Sequence, residues 1–245
     1  DQWRRKPMRI LAIESSAVTA SVAVLTDKVV TAEYTVNYKK THSQTLLPMI
    51  DEIFKMTETK PETVDLIAVS VGPGSFTGLR IGAATGKGLA LALDKPMAAV
   101  NTLEAMAWNL YGTDKLICPV MDAKRQHLYT GIYEFENCEK FKIIKGQSLL
   151  SFEEIVDIIN EMKRDVVFVG DGIDTAGEYL REHLECRFSF APAHLNTQRA
   201  ASVAMLALDM YNRNEIIDSD RLHPEYLRLS QAERQLAKKA SEGEV

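Results

Sequence analysis

The sequence predicts an α/β protein with two domains, each built on a mixed sheet flanked by helices. One order of elements, three strands followed by helix, strand, helix, strand and helix, is found twice along the 245 residues. A chain of this length accommodates two small domains. Its composition, 46% hydrophobic and 26% charged, is ordinary for a globular protein and excludes collagen-like and disordered classes. The predicted domains are residues 8–112 and 113–229, with an extension at 1–7 and a tail at 230–245.

The first half opens with three apolar runs joined by short turns, which predicts an antiparallel meander. The runs are Arg9–Ile13, Ala20–Leu25 and Val29–Val36. A fourth strand, Val64–Val71, is bounded by Pro61 and Gly72, both typical of strand ends. Helical periodicity and turn residues predict three helices and a short strand, at Ser43–Met56, Ser75–Leu93, Thr102–Leu110 and Pro96–Val100.

The second half repeats this order, although no residue-level repeat is visible. Strands are predicted at Leu116–Met121, His127–Phe135, Phe141–Leu150, Val166–Val169 and Arg187–Phe190. Helices are predicted at Phe152–Met162, Thr175–Leu184 and Arg199–Tyr211. Ser151 is a suitable N-cap for the first of these helices, and two glutamates follow in its first turn. Beyond Gln231 the charged, alanine-rich sequence predicts a frayed helix or disorder.

Charge and cysteine content exclude several classes of protein. A net charge of -5 argues against a protein that grips nucleic acid over a large surface by itself. The three cysteines are Cys118, Cys138 and Cys186, and no C-x-x-C pair occurs, so we expect reduced thiols and a cytoplasmic location. No apolar run approaches the ~18 residues of a membrane span. No two of the five histidines are three or four residues apart, so no metal site is predicted.

A glycine-rich segment, Gly72–Gly78, connects a predicted strand to a predicted helix, as phosphate-binding loops do. Its spacing matches neither the Rossmann nor the Walker A pattern, which favours a tight turn. It also lacks the G-x-S-x-G pattern of a serine nucleophile, and no catalytic residue is predicted. The candidates for a weak nucleotide site are Ser15, Ser16, Gly72, Gly74, Ser75 and Asp171.

Two helices of the first half suggest a contact beyond the core. Apolar residues fill about half the circumference of Ser43–Met56, more than the stripe of a little over ~100° that a surface helix needs. This width indicates either a second apolar contact or a helix wedged between sheet and neighbour. In Ser75–Leu93 the glycines at 82, 86 and 88 together cost about 3 kcal/mol relative to alanine. Close packing explains that cost, against a partner helix or against the protein's own sheet. The candidate partner interface comprises His42, Leu46, Met49, Ile50, Ile53, Phe76, Gly78, Leu79, Gly82 and Gly86.

Several of these segments resemble a known family. The run Met8–Ser16 resembles the opening strand of the actin, hexokinase and Hsp70 ATPase superfold. Gly-Pro-Gly-Ser-Phe-Thr-Gly-Leu-Arg at residues 72–80 is highly specific and is similar to the TsaB family, also called YeaZ. Further matching segments are Thr41–Ser43, Leu46–Pro48, Lys87–Ala90, Pro119–Arg125 and Pro224–Arg228. The resemblance covers about residues 8–229.

The resemblance implies two actin-like domains of the ASKHA, ribonuclease H-like type. It implies a non-catalytic subunit of the bacterial machinery that makes threonylcarbamoyladenosine at adenosine 37 of tRNAs reading A-starting codons. The implied partners are the catalytic paralogue TsaD, the small ATPase TsaE and a second copy of this chain when it is alone, with tRNA contacted indirectly. No cofactor is implied for this chain alone, although ATP or ADP could lie at a subunit interface.

Two departures from related patterns bear on catalysis. The catalytic paralogue carries a His-x-x-x-His metal pair on its first helix, whereas here His42 is followed by Leu46. The phosphate loop of actin-like ATPases begins with aspartate, and Glu14 stands there instead. Both departures favour an interaction subunit that is not an enzyme. The alternative is an actin-fold phosphotransferase that uses ATP and Mg²⁺, with Glu14 or Asp171 as its carboxylate.

Overall fold

Two five-stranded sheets organise the computed structural model, which describes residues 6–38 and 41–228. The first half contains strands β1 to β5, at Arg9–Glu14, Thr19–Thr26, Val29–Asn37, Leu66–Gly72 and Met97–Asn101. Its helices are α1 to α3, at His42–Met56, Phe76–Leu93 and Thr102–Trp108. Strands β6 to β10 are Leu116–Asp122, His127–Glu136, Lys140–Ser151, Val166–Val169 and Phe188–Phe190. Helices α4 to α6 are Phe152–Met162, Ile173–His183 and Ala200–Asn212.

The two sheets have the same topology, which confirms the α/β class with two mixed sheets flanked by helices. The first has the strand order β3-β2-β1-β4-β5 and the second β8-β7-β6-β9-β10. In each, three strands form an antiparallel meander and two more pair in parallel beyond the first strand. Every strand and helix predicted from the sequence is present, with ends within two residues. Two short 3-10 helices, Pro61–Thr63 and Ser219–Arg221, were not predicted.

Helices cover both faces of the first sheet. Helices α1 and α2 lie side by side on one face, where Leu46 and Ile50 pack with Leu11 and Val69. Helix α6 covers the other face, although it belongs to the second half of the sequence pattern. Helix α3 contacts α6 and also packs on the second sheet, while α4 and α5 cover that sheet's far face. The division of the chain at residue 112 therefore remains a prediction.

Membrane-spanning helices and the terminal segments were also the subject of sequence predictions. Within residues 6–38 and 41–228, no helix is long and apolar enough to cross a membrane. The frayed helix expected beyond Gln231 lies outside the described residues, as do residues 1–5 of the extension.

Candidate partner-binding face

The glycine-rich loop before α2 is closed by the turn that follows β1. The amide of Ser75 donates a hydrogen bond of 2.6 Å to the Ser16 carbonyl. A Cβ placed on Gly74 would lie only 2.3 Å from that same oxygen. The Ser15 hydroxyl donates to the Gly78 carbonyl at 3.0 Å. Ser75 is the N-cap of α2, and its hydroxyl accepts a hydrogen bond from the Gly78 amide at 3.3 Å.

Gly72, at the other end of the loop, is covered by the C-terminal part of the chain. The amide of Glu225 donates to the Val71 carbonyl at 2.7 Å. A Cβ on Gly72 would lie 2.3 Å from the Glu225 carbonyl oxygen. Close backbone approach, the usual reason for glycines in a phosphate loop, is here an approach of protein to protein. Of the residues expected at a nucleotide site, Ser15, Ser16 and Gly72 are buried, Gly74 is half-buried and Ser75 is exposed, and the site itself remains a prediction.

Asp171, the sixth nucleotide candidate, belongs to a different environment. It follows β9 in a turn, and its charged neighbours are Asp122, Lys124 and Asp174. Asp122 and Lys124 form an ion pair of 2.5 Å. Asp171 is thus grouped with charged side chains of the second half, while the other five candidates meet at the first sheet.

Glu14 ends β1 and lies beside Ser70 on β4, because Ile13 pairs with Val69. Its side chain is 1% exposed, and one carboxyl oxygen accepts a 2.6 Å hydrogen bond from the Ser16 amide. Burial raises the pKa of the Glu14 carboxyl, and hydrogen bonding at Ser16 offsets this only in part. The Ser16 and Ser70 hydroxyls find no hydrogen-bond partner of good geometry among the described residues. A buried carboxyl that favours its neutral form is a poor ligand for Mg²⁺.

We expect the stability of Glu14→Gln relative to the parent chain to be greater at neutral pH than at acidic pH. The folded-state pKa lies above the unfolded value of 4.5, so the folded chain holds this proton more tightly. Stabilisation by Glu14 is therefore complete below about pH 4.5 and is lost as the pH rises through the folded-state pKa. Thermal melting should show a difference between Glu14→Gln and the parent chain that increases as the pH rises above about 4.5. The exposed Glu58→Gln is the control, and a pH-independent difference for Glu14→Gln would contradict the account.

Most side chains predicted for the partner interface face the protein's own core. Those that are buried, or nearly so, beneath α1 and α2 are His42, Leu46, Ile50, Ile53 and Leu79. His42 Nε2 donates to the Ala17 carbonyl at 2.7 Å, which ties the start of α1 to the turn after β1. Met49 and Phe76 are half-buried. The buried five are corrected from surface residues to core residues, because their stripe is the one that contacts the sheet.

The predicted row of glycines on α2 also faces inward. A Cβ on Gly78 would lie 2.1 Å from the Ser15 carbonyl oxygen, and one on Gly82 would lie 2.2 Å from the Ser15 hydroxyl. A Cβ on Gly86 would lie 2.4 Å from a methyl group of Val69. These glycines allow α2 to lie directly on the sheet. Their assignment to a partner interface is corrected for this reason.

A second stripe of α2 faces outward, and we call it the docking stripe: Thr77, Arg80, Ala84, Gly88 and Leu91. All five are exposed, Leu91 to 78%. A Cβ on Gly88 would have no heavy atom of the described residues within 4 Å. Small and apolar residues thus face solvent along nearly the whole helix. The sequence signal was available, because Gly88 is out of step with the four-residue spacing of the other glycines.

Helix α1, which contacts α2, exposes two large apolar side chains that lie on opposite sides of its axis. Leu47 is 56% exposed and Met56 is 68% exposed. These two side chains account for the apolar width that exceeded the need of a surface helix. We call the exposed surface of α1 together with the docking stripe the docking face. Exposed charged residues of α1, Asp51, Glu52 and Lys55, belong to the same face, which therefore combines apolar and charged groups.

No group of three His, Cys, Asp or Glu side chains that could hold a metal ion is found in the part of the chain that the structure describes. The single histidine near the docking face, His42, is engaged with a backbone carbonyl. The chemistry that this region offers is therefore the packing of apolar helix surface, supplemented by exposed charged groups at its edges.

Comparison with known proteins identifies relatives along most of the chain. A sequence model of the family described as TsaD: tRNA N6-adenosine threonylcarbamoyltransferase matches residues 30–236. The tRNA threonylcarbamoyladenosine biosynthesis protein TsaB of Bacillus subtilis (strain 168) is 33% identical over 226 residues, which cover 92% of this chain and 96% of the relative. The solved structure of YeaZ from Pseudomonas aeruginosa is similar with a TM-score of 0.77 and 26% identity, covering 90% of this chain and 100% of that chain.

The pairwise match to an individual transferase is shorter than the family-model match at residues 30–236. The tRNA N6-adenosine threonylcarbamoyltransferase of Thermotoga neapolitana is 31% identical, but the match covers only 46% of this chain and 38% of that protein. Similarity over nearly the full length is found instead with TsaB and YeaZ. The expected resemblance is confirmed, and the chain belongs to the TsaB family, also called YeaZ.

Proposed function

We propose that this chain is the non-catalytic subunit of the machinery that adds threonylcarbamoyl to the adenosine of tRNAs reading A-starting codons. Its role is to bind the catalytic paralogue, TsaD, through the docking face. Relatives of nearly the same length are named as threonylcarbamoyladenosine biosynthesis proteins. The observation that carries the mode of action is the run of exposed small and apolar residues on α2, Ala84, Gly88 and Leu91.

The geometry of the first half favours this role over catalysis. The glycines of the loop before α2, Gly72 and Gly74, lie against the Glu225 and Ser16 backbones, so their lack of a side chain is explained by contacts within the protein. Glu14 is buried and accepts a hydrogen bond from the Ser16 amide, so its carboxyl group is enclosed by the protein. These two features argue against the alternative of an actin-fold phosphotransferase. A nucleotide in the assembly would then depend on residues of a partner, such as TsaD or the small ATPase TsaE.

The same face is suited to a second copy of the chain when the paralogue is absent. If both complexes use the docking face, formation of the homodimer and binding of the paralogue exclude each other. A stable contact should bury about 1,000 Å² or more in total. Contact with tRNA is expected through the paralogue, since the chain's net charge of -5 does not favour an extended grip on phosphates.

Reconstitution tests the proposed function. Unmodified tRNA, the threonylcarbamoyl donor, TsaD and TsaE are incubated with and without this chain, and modified adenosine is measured by mass spectrometry. Modification should require the chain together with TsaD and should be absent with the chain alone. ATP turnover by the isolated chain should stay far below the common enzyme range of about 1 s⁻¹. Turnover in that range, abolished in Glu14→Gln, would establish the phosphotransferase instead.

A further inference from the structure

Two segments singled out by the sequence meet at the N-terminal end of α2. The Phe76 ring stacks on the Tyr226 ring, with centroids 4.0 Å apart and planes 3° from parallel. Arg80 Nε donates to the Tyr226 hydroxyl at 3.0 Å, across 146 residues of sequence. The guanidinium carbon of Arg80 lies 5.5 Å and 5.8 Å from the two ring centroids. The three side chains form one stacked cluster.

The chain holds Tyr226 in place on both sides of the cluster. The preceding residue, Glu225, pairs with Val71 at the end of β4 and accepts a 2.8 Å hydrogen bond from Gln147 on β8. Two residues further on, Arg228 donates to the Ala123 carbonyl at 2.6 Å. The segment around Tyr226 is thus attached to both halves of the molecule. An exposed tyrosine anchored in this way provides a rigid support for Arg80.

Arg80 lies on the docking stripe and is its only charged residue. The side chain is exposed, and its two terminal nitrogens make no hydrogen bond within residues 6–38 and 41–228. Below it on the same side of α2 are Ala84, Gly88 and Leu91, which are small or apolar. An arginine whose orientation is already restrained loses less side-chain entropy when it binds a second group.

We propose that Arg80, positioned by Tyr226 and Phe76, binds a carboxylate on the helix of the catalytic paralogue that packs on the docking stripe. This inference rests on the proposed function and adds to it the polar contact that sets the partner's register. An arginine and a tyrosine beside a closely packed apolar surface are typical of residues that dominate binding energy. The free terminal nitrogens of Arg80 match the two oxygens of a carboxylate.

A protein carboxylate fits this position better than a tRNA phosphate. Phosphate binding requires several cations spread along a surface. The neighbouring helix α1 instead exposes two acidic residues, Asp51 and Glu52, and the one nearby cation on that helix, Lys55, is paired with Asp51 at 2.5 Å. The rest of the docking stripe is uncharged, and Lys87, which lies beside it on α2, is half-buried with its amine directed to the Asp220 and Leu222 carbonyls. A backbone of phosphates, with one charge per nucleotide, would meet more repulsion here than a single carboxylate.

The test is a titration of the purified paralogue into the full chain at low and high salt. Arg80→Gln should weaken binding by about 10- to 100-fold, the usual effect of losing a hydrogen bond to a charged group. It should also flatten the salt dependence, which a merely structural role would not do. Arg80→Lys should bind the paralogue little better than Arg80→Gln does, since lysine cannot pair with a carboxylate in the same two-bond geometry. Tyr226→Phe keeps the stacked ring and removes only the hydroxyl, so its affinity for the paralogue should fall by a few-fold.

The outcomes separate this inference from the proposed function. No binding by the parent chain would contradict the proposed function. Normal binding by Arg80→Gln with parent-like salt dependence would overturn the role of Arg80 alone. Unchanged paralogue affinity combined with loss of direct tRNA binding would assign Arg80 to a phosphate and overturn the carboxylate. Loss of self-association only would assign it to a second copy of this chain and likewise overturn the inference.

Discussion

Replacing Gly86 by leucine is expected to destabilise the folded chain by about 3 kcal/mol or more, the upper part of the range for overpacked cores. The first added carbon alone would lie 2.4 Å from a Val69 methyl group and 3.1 Å from the terminal methyl of Met97. Both neighbours are completely buried, so neither can move into solvent. The remaining carbons of leucine would have to separate α2 from the sheet. For a chain of this size, the melting temperature should fall by about 6 to 12 °C or more.

Gly88→Leu is the matched control, because it makes the same substitution on the same helix. Gly88 has open space around its Cα, so leucine adds no clash. Replacing a helix glycine by leucine gains up to about 1 kcal/mol of helix propensity. Circular dichroism melts should show Gly86→Leu well below the parent chain and Gly88→Leu at or above it. Equal stability of the two variants would mean that the orientation of α2 described here is wrong.

Gly88→Leu is also expected to weaken binding of the catalytic paralogue by about 100-fold or more, equivalent to about 2.8 kcal/mol. The docking stripe lets a partner helix approach closely because two of its central positions are alanine and glycine. A leucine at Gly88 would hold the partner helix away and remove the contacts of Ala84 and Leu91 together. Self-association should be lost in parallel if both complexes use the docking face.

The sequence was sufficient to predict the strands, the helices and the doubled topology, because hydrophobic period and turn residues are local properties. Ser151, for example, caps α4 in a capping box with Glu154. The position of α6 was beyond such reasoning. Its pattern places it in the second half, but its apolar face packs on the first sheet, which is a long-range choice.

The candidate site shows the same division between local and long-range information. The spacing of glycines on α2 indicated close packing, but periodicity alone cannot say which stripe meets the sheet. Gly82 and Gly86 turned out to serve the sheet, and Gly88 faces solvent. The glycine spacing of the loop before α2 suggested a ligand loop. The sequence could not show that Gly74 and Gly72 lie against Ser16 and Glu225, because these contacts join residues that are distant in sequence.

The central claim, that the outward face of α2 binds the catalytic paralogue, is tested most directly by isothermal titration of the paralogue into the parent chain, Gly88→Ala and Gly88→Leu. All three must first show the melting behaviour of a folded chain. The account predicts that Gly88→Ala retains most of the affinity, while Gly88→Leu loses about 100-fold or more. Parent-like affinity for a folded Gly88→Leu would contradict the claim and place the interface on another surface.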